Sequence, residues 1–262
     1  GFYKSLRHML FKSKTTYKNV IDVELPKDQY KLDKRALVRT LFALNNIPDK
    51  VHECLFGAYP DVSKSYHQMT FKKKRGVYEP SSSQLSSLAH NMHDALIRFV
   101  FIRINLIKDI NNMNHVNCVI IDKRRRFILY FEPTVIVRVD TAVLLDILTK
   151  FSDDFNGYRF LIPTDIGYNV YNRLQRYDNY CQTYILYVYC LILENLEVDS
   201  NEFAELFNTM ITTGNVNRFL YYVHGLLVDS GVGIDNLDSL DQNDQLIDDI
   251  VITEDEEWLV VK

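Results

Sequence analysis

The sequence predicts an α+β chain, a small mixed β-sheet with helices packed on it. Three observations predict it. Near residue 96 the pattern changes from helical spacing to runs dense in β-branched and aromatic residues. A basic tip, Lys123-Arg124-Arg125, then separates two such runs as a hairpin would. Beyond residue 180 a long apolar segment reads as a helix opened by Cys181. From residue 97 onward the order reads β-β-β-α-β-α-α-α, with strands grouped ahead of helices.

The elements follow in order. Asp33 is an N-cap candidate for a helix to Asn46, with Leu37, Leu41 and Leu44 at helical spacing. Lys72-Lys73-Lys74-Arg75-Gly76 reads as a charged, solvated loop, followed by a turn-rich stretch at Glu79-Pro80-Ser81-Ser82-Ser83. A polar helix is expected over 84–95. Ile97 to Ile104 reads as a strand, His115 to Asp122 as a second, and Arg126 to Glu132 as its return, stopped by Pro133. Asp140 to Phe151 is an amphipathic helix, with apolar residues at 143, 144, 147, 148 and 151. Tyr158 to Ile162 is a short strand. Helices are expected over 181–196, from Ser200 to Ile211, and over 215–228. This predicts three regions: a basic, mainly helical accessory arm over 1–83, a core over 84–229, and an acidic tail over 230–262.

Composition bounds the function. At 262 residues and 47% hydrophobic, the chain can bury a substantial core. No apolar run reaches the eighteen or so residues that span a bilayer. The four cysteines, Cys54, Cys118, Cys181 and Cys190, have no metal-ligand spacing and are too few for a disulfide scaffold. A reducing, intracellular setting (cytoplasm or nucleus) is the simpler expectation. The net charge of −4 hides a basic start, including Lys4, Arg7, Lys12, Lys14 and Lys18, and an acidic end with ten acids from Asp235 to Glu257. Such ends serve to attach partners, nucleic acid through the basic arm among them, or are simply solvated.

One stretch carries chemistry. In Gln175-Arg176-Tyr177-Asp178-Asn179-Tyr180-Cys181-Gln182, a cysteine opens a long apolar helix. Free backbone N–H groups and the positive end of the helix dipole favour a thiolate there. Cys181 is thus either a nucleophile or a small core residue. His115 begins one hairpin strand and Glu132 ends the next, so the two are expected to face each other at the open end. A carboxylate beside an imidazole orients it as a general base. Gln175 and the Cys181 backbone N–H are candidate oxyanion donors. Taken singly, His115 also reads as a strand-edge residue, Glu132 as a solvent-facing one and Gln175 as a surface amide.

The order His115, Glu132, Gln175, Cys181 resembles that of the adenovirus proteinase and the Ulp1-type, SUMO-deconjugating cysteine peptidases, over roughly residues 97–195. It rests on His115 beginning a strand, on the return strand ending Tyr130-Phe131-Glu132-Pro133, and on Gln175 six positions before Cys181. The resemblance implies a papain-like, adenain-like core and a cysteine endopeptidase that acts in polyprotein maturation or ubiquitin-like deconjugation. It implies His115 as base, Glu132 as orienter, Gln175 as oxyanion donor and Cys181 as nucleophile. Asn179, Tyr180 and Gln182 would contact the protein substrate, with no metal and no cofactor. The glutamate leans toward the adenovirus-like branch, and so toward a viral protein associated with virion or capsid maturation. Two positions depart from the family: Val116 stands where it has Trp, and Gln182 where it has Gly. These departures, with the charged ends, leave open an inactive protease-like fold that serves as a virion or scaffold component.

Overall fold

The structure, a computed structural model, describes residues 6–7, 10–11, 34–80, 85–107, 114–133, 141–151, 153–162, 181–211, 213–233, 250–253 and 258–261. It is α+β. Contacts divide the chain into two compact units, one of residues 61–181 with 199–204, the other of 1–60, 182–198 and 205–262. Lys64–Lys74 and Val77–Pro80, which fall within the region expected to be a mainly helical arm, are strands of the main sheet.

The sheet unit is built from β1 (Lys64–Lys74), β2 (Val77–Pro80), β3 (Phe99–Ile107), β4 (Asn114–Asp122), β5 (Phe127–Phe131) and β6 (Arg159–Leu161). Their order across the sheet is β2-β1-β3-β4-β5-β6. β1 runs parallel to β3 and β5 parallel to β6, while the other pairs are antiparallel, so the sheet is mixed. A hairpin joins β1 to β2 through Arg75 and Gly76, both at positive φ (52° and 83°), with Lys74 paired to Val77. Two successive positive-φ residues fit the right-handed twist of the flanking strands. The supposed charged loop is therefore a hairpin tip.

Helix α1 (Lys34–Asn46) and α2 (Pro48–Phe56) precede the sheet, and α3 (Leu85–His93) and α4 (Thr141–Phe151) interrupt it. One face of the sheet unit holds Met69, Phe71, Val100, Ile102, Ile104, Val119, Ile121 and Ile128, packed with Leu88 and Met92 of α3 and Leu144 and Leu148 of α4. Alternation sends every second strand residue there. On the other face the rings of Phe99 and Phe101 stack at 5.6 Å, and Phe127 meets Phe203 edge-on at 5.1 Å.

The β4–β5 hairpin that carries the site is tied at its closed end. Asp122, 0% exposed, accepts from Arg98 Nε (3.0 Å) and Nη2 (3.1 Å), from Arg125 Nε (2.6 Å) and from the Arg124 backbone N–H (3.0 Å). Burial pushes the Asp122 carboxyl up, but the two guanidinium groups outweigh it and hold it below its ordinary value. The tip extends one residue beyond the expected Lys123-Arg124-Arg125, since Arg126 is left-handed (φ 56°) and Asp122 pairs with Phe127.

The second unit is mainly helical, with α5 (Cys181–Glu194, from Gln182 onward), α6 (Phe203–Met210, from Glu205 onward), α7 (Thr213–Asp229) and a hairpin of β7 (Ile250–Thr253) and β8 (Trp258–Val261). The acidic segment contains these paired strands. α5 is apolar all round, and from Gln182 to Leu193 every residue is buried. Phe11 packs on Tyr187, Phe219 and Tyr222 at 5.5–5.8 Å. At the end of α5, Glu194 pairs with Arg7 and accepts from the Tyr59 hydroxyl at 2.8 Å. The turn leading to α6 is capped by Asp199 and not by Ser200: its side chain accepts from Asn201 N–H, with Glu202 completing a capping box. No described helix is long and apolar enough to cross a membrane.

Candidate active site

Strand alternation places His115, Asn117 and Val119 on one face of β4, and Tyr130 on the same face of β5, paired with Val119. Continuing the register one step past the Cys118–Phe131 pair sets Asn117 across from Glu132, with His115 one alternate position further along. His115 and Glu132 are therefore diagonal neighbours and not a directly facing pair, a separation within reach of a long side chain.

The side chains meet. His115 Nε2 lies 2.5 Å from Glu132 Oε1, and His115 Nδ1 lies 3.1 Å from Cys181 Sγ. Cys181 is the first residue of α5, so its thiol projects from a helix start. All three are buried, with exposures of 2% for His115, 6% for Glu132 and 2% for Cys181. Burial alone would push the His115 imidazole down. Its hydrogen bonds to Cys181 and Glu132, and their negative charge, outweigh that and hold it up at about 10.

Chemically, this is a thiol beside a ring nitrogen, with the opposite ring nitrogen held by a carboxylate. The ring can pass a proton to or from sulfur while the carboxylate fixes its orientation. Gln182 is 1% exposed, and its amide nitrogen has no hydrogen-bond partner among the described residues. Gln175, Asn179 and Tyr180 lie outside the described residues. Among the described residues, no group of three or more His, Cys, Asp and Glu is placed to hold a metal ion. Cys190 is fully buried in α5, and burial pushes its thiol up.

The residue that the sequence reading passed over is Asn117. Its Nδ2 donates to Glu132 Oε2 at 2.9 Å and to the Tyr130 hydroxyl at 2.7 Å. The signal was an amide inside the apolar strand run Val116-Asn117-Cys118-Val119-Ile120-Ile121.

No protein-family model matches the sequence, and no curated protein matches it either. Among solved structures, the chain is similar to the SUMO protease Ulp1 with its catalytic cysteine oxidised to a sulfenic acid. That likeness has 14% identity over 81% of this chain and 99% of that one, at a TM-score of 0.43. It is also similar to the C-terminal Ulp1 protease domain in complex with Smt3, the yeast ortholog of SUMO (14% identity, 81% and 99% covered, TM-score 0.40). The Chlamydia trachomatis effector Cdu1 bound to ubiquitin is a third (12% identity, 90% and 92% covered, TM-score 0.34). The site is read from its own geometry.

Proposed function

We propose that the protein is a cysteine peptidase with Cys181 as nucleophile, His115 as base and Glu132 as the group that orients the base. The observation that carries this reading is the unbroken chain from Cys181 Sγ through both nitrogens of His115 to Glu132. His115 Nδ1 takes the thiol proton, and Sγ attacks the carbonyl carbon of the scissile amide. The oxygen becomes an oxyanion, received by the Cys181 backbone N–H at the helix start and by the Gln175 amide. The imidazolium, steadied by Glu132, returns its proton to the leaving amine, and a thioester remains. Water, deprotonated by His115, attacks the thioester and releases the acid and the thiol.

The substrate we propose is a protein, cut within a polyprotein or at the junction of a ubiquitin-like conjugate. Asn179, Tyr180 and Gln182 flank the nucleophile in sequence and are the proposed substrate contacts. A panel of peptide probes bearing a thiol-reactive terminus tests the reading, with one set ending as ubiquitin-like tails end. Adduct should form at Cys181, disappear in His115→Ala and persist in Cys190→Ser. Equal labelling of Cys181 and Cys190, or labelling indifferent to His115→Ala, would sink the proposal.

Burial favours a second reading. A thiol 2% exposed is covered in this state, as it would be in a protease-like fold kept as a scaffold component without turnover. That reading predicts no adduct in native protein and no loss of assembly in Cys181→Ser.

A further inference from the structure

We propose that Asn117 is a positioning residue of the Cys181–His115–Glu132 chain, its amide fixing the carboxylate of Glu132 so that one oxygen stays on His115. The inference rests on the reading of Cys181 and His115 as nucleophile and base.

Asn117 is 0% exposed, on the same strand face as His115. One nitrogen supplies two bonds, 2.9 Å to Glu132 Oε2 and 2.7 Å to the Tyr130 hydroxyl oxygen. The two N–H bonds of a planar amide diverge by a fixed angle, so holding both acceptors at once fixes its roll. The carboxylate is then held at both ends, Oε1 by His115 and Oε2 by Asn117. A carboxylate bonded through one oxygen only is free to rotate about its last torsion, which is broad. Bonded through both, it is not.

Asn117 Oδ1 is buried and has no hydrogen-bond partner among the described residues. The amide is therefore anchored through its donor side alone, at a cost to folding. Turning the amide over would bring its carbonyl oxygen against the carboxylate, where both are acceptors, so chemistry sets the orientation. Neighbouring positions on this face, Val119, Ile121 and Ile128, belong to the apolar core. An aliphatic residue at 117 would pack there but remove the amide donor that Asn117 gives to Oε2. An aspartate would set a second negative charge against Glu132. Among the described residues, the charged and titratable groups that β4, β5 and the start of α5 bring into this hydrogen-bonded chain are His115, Tyr130, Glu132 and Cys181. Asn117 touches the orienting carboxylate and not the reacting atoms.

The test follows the His115 imidazole by NMR across pH, its signal assigned by its loss in His115→Gln, together with the rate of Cys181 alkylation by iodoacetamide. Wild type is compared with Asn117→Ala and Asn117→Ser, the second retaining a hydroxyl too short to reach, in case the first does not fold. In a folded variant the His115 midpoint should fall by about one unit or more, a tenfold change in proton affinity. Alkylation at acidic pH should fall about tenfold with it. Asn117→Ala should add nothing in a Glu132→Gln background, because its effect passes through the carboxylate. A raised wild-type midpoint that neither variant moves removes the inference alone, as does an undiminished effect in Glu132→Gln. A wild-type midpoint near the ordinary 6.5 removes the base–nucleophile reading and this inference with it.

Discussion

Cys181 Sγ stands 3.1 Å from His115 Nδ1 across 66 residues of chain. With Glu132 on its other nitrogen, the ring of His115 has an acidic partner on each side and is best matched to both as imidazolium, when both nitrogens donate.

Stability should therefore depend on pH through His115. A group whose folded value is raised stabilises the fold fully below its unfolded value and loses that contribution as pH rises through the folded one. Here the window runs from about 6.5 to about 10. Urea unfolding of wild type against His115→Gln should show an advantage for wild type at pH 6 that shrinks by pH 10. An advantage that grows over that range would reverse the assignment.

Glu132→Gln keeps the size of the side chain and removes its charge. Alkylation of Cys181 and any peptide turnover near pH 7 should drop by about a hundredfold or more, the usual scale for a displaced general base. The chain should still fold, so circular dichroism should be unchanged while the rate is lost.

Asp122 is the structural counterpart at the closed end of the same hairpin. Asp122→Ala removes the buried carboxylate that Arg98 and Arg125, 14% and 13% exposed, share. Removing one partner of such a buried cluster costs about 3 kcal/mol or more, measurable as a lower urea midpoint. The folded value of Asp122 is lowered, so its contribution is present above the ordinary 3.8 and lost as pH falls through the folded value. Wild type and Asp122→Ala should converge in stability toward acid.

Gly76→Val tests the β1–β2 tip. At φ 83° no Cβ meets a neighbour within 4 Å, yet the backbone itself disfavours a side chain. The expected loss is about 1–2 kcal/mol, read as a lower melting temperature without loss of Cys181 labelling.

The site was legible in sequence where chemistry is local. His115 at a strand start, Glu132 before a strand-stopping proline and Cys181 at a helix start are all set by short-range pattern. β1 was not legible, because Lys64 to Lys74 is lysine-rich and lacks β-branched residues apart from Thr70. Only Met69 and Phe71 alternate inward, and its parallel pairing with β3 comes from distant packing. Arg75-Gly76 was the one local sign. Asn117 escaped for a related reason: which face of β4 it shares, and with whom, follows from a register that spacing alone left one step uncertain.

The lengths of the strands carry a last consequence. The long, buried strands β3 and β4 lie in the middle of the sheet, while its borders are β2, four residues ending at Pro80, and β6, three residues. A border strand offers unpaired N–H and C=O groups to any passing chain. That offer is brief along β6 and along β2, which covers β1 only from Phe71 to Lys74 and ends in a residue with no N–H, close to the exposed Lys72 and Lys73. The borders formed by β2 and β6 are thereby poorly suited to recruit strands from other molecules.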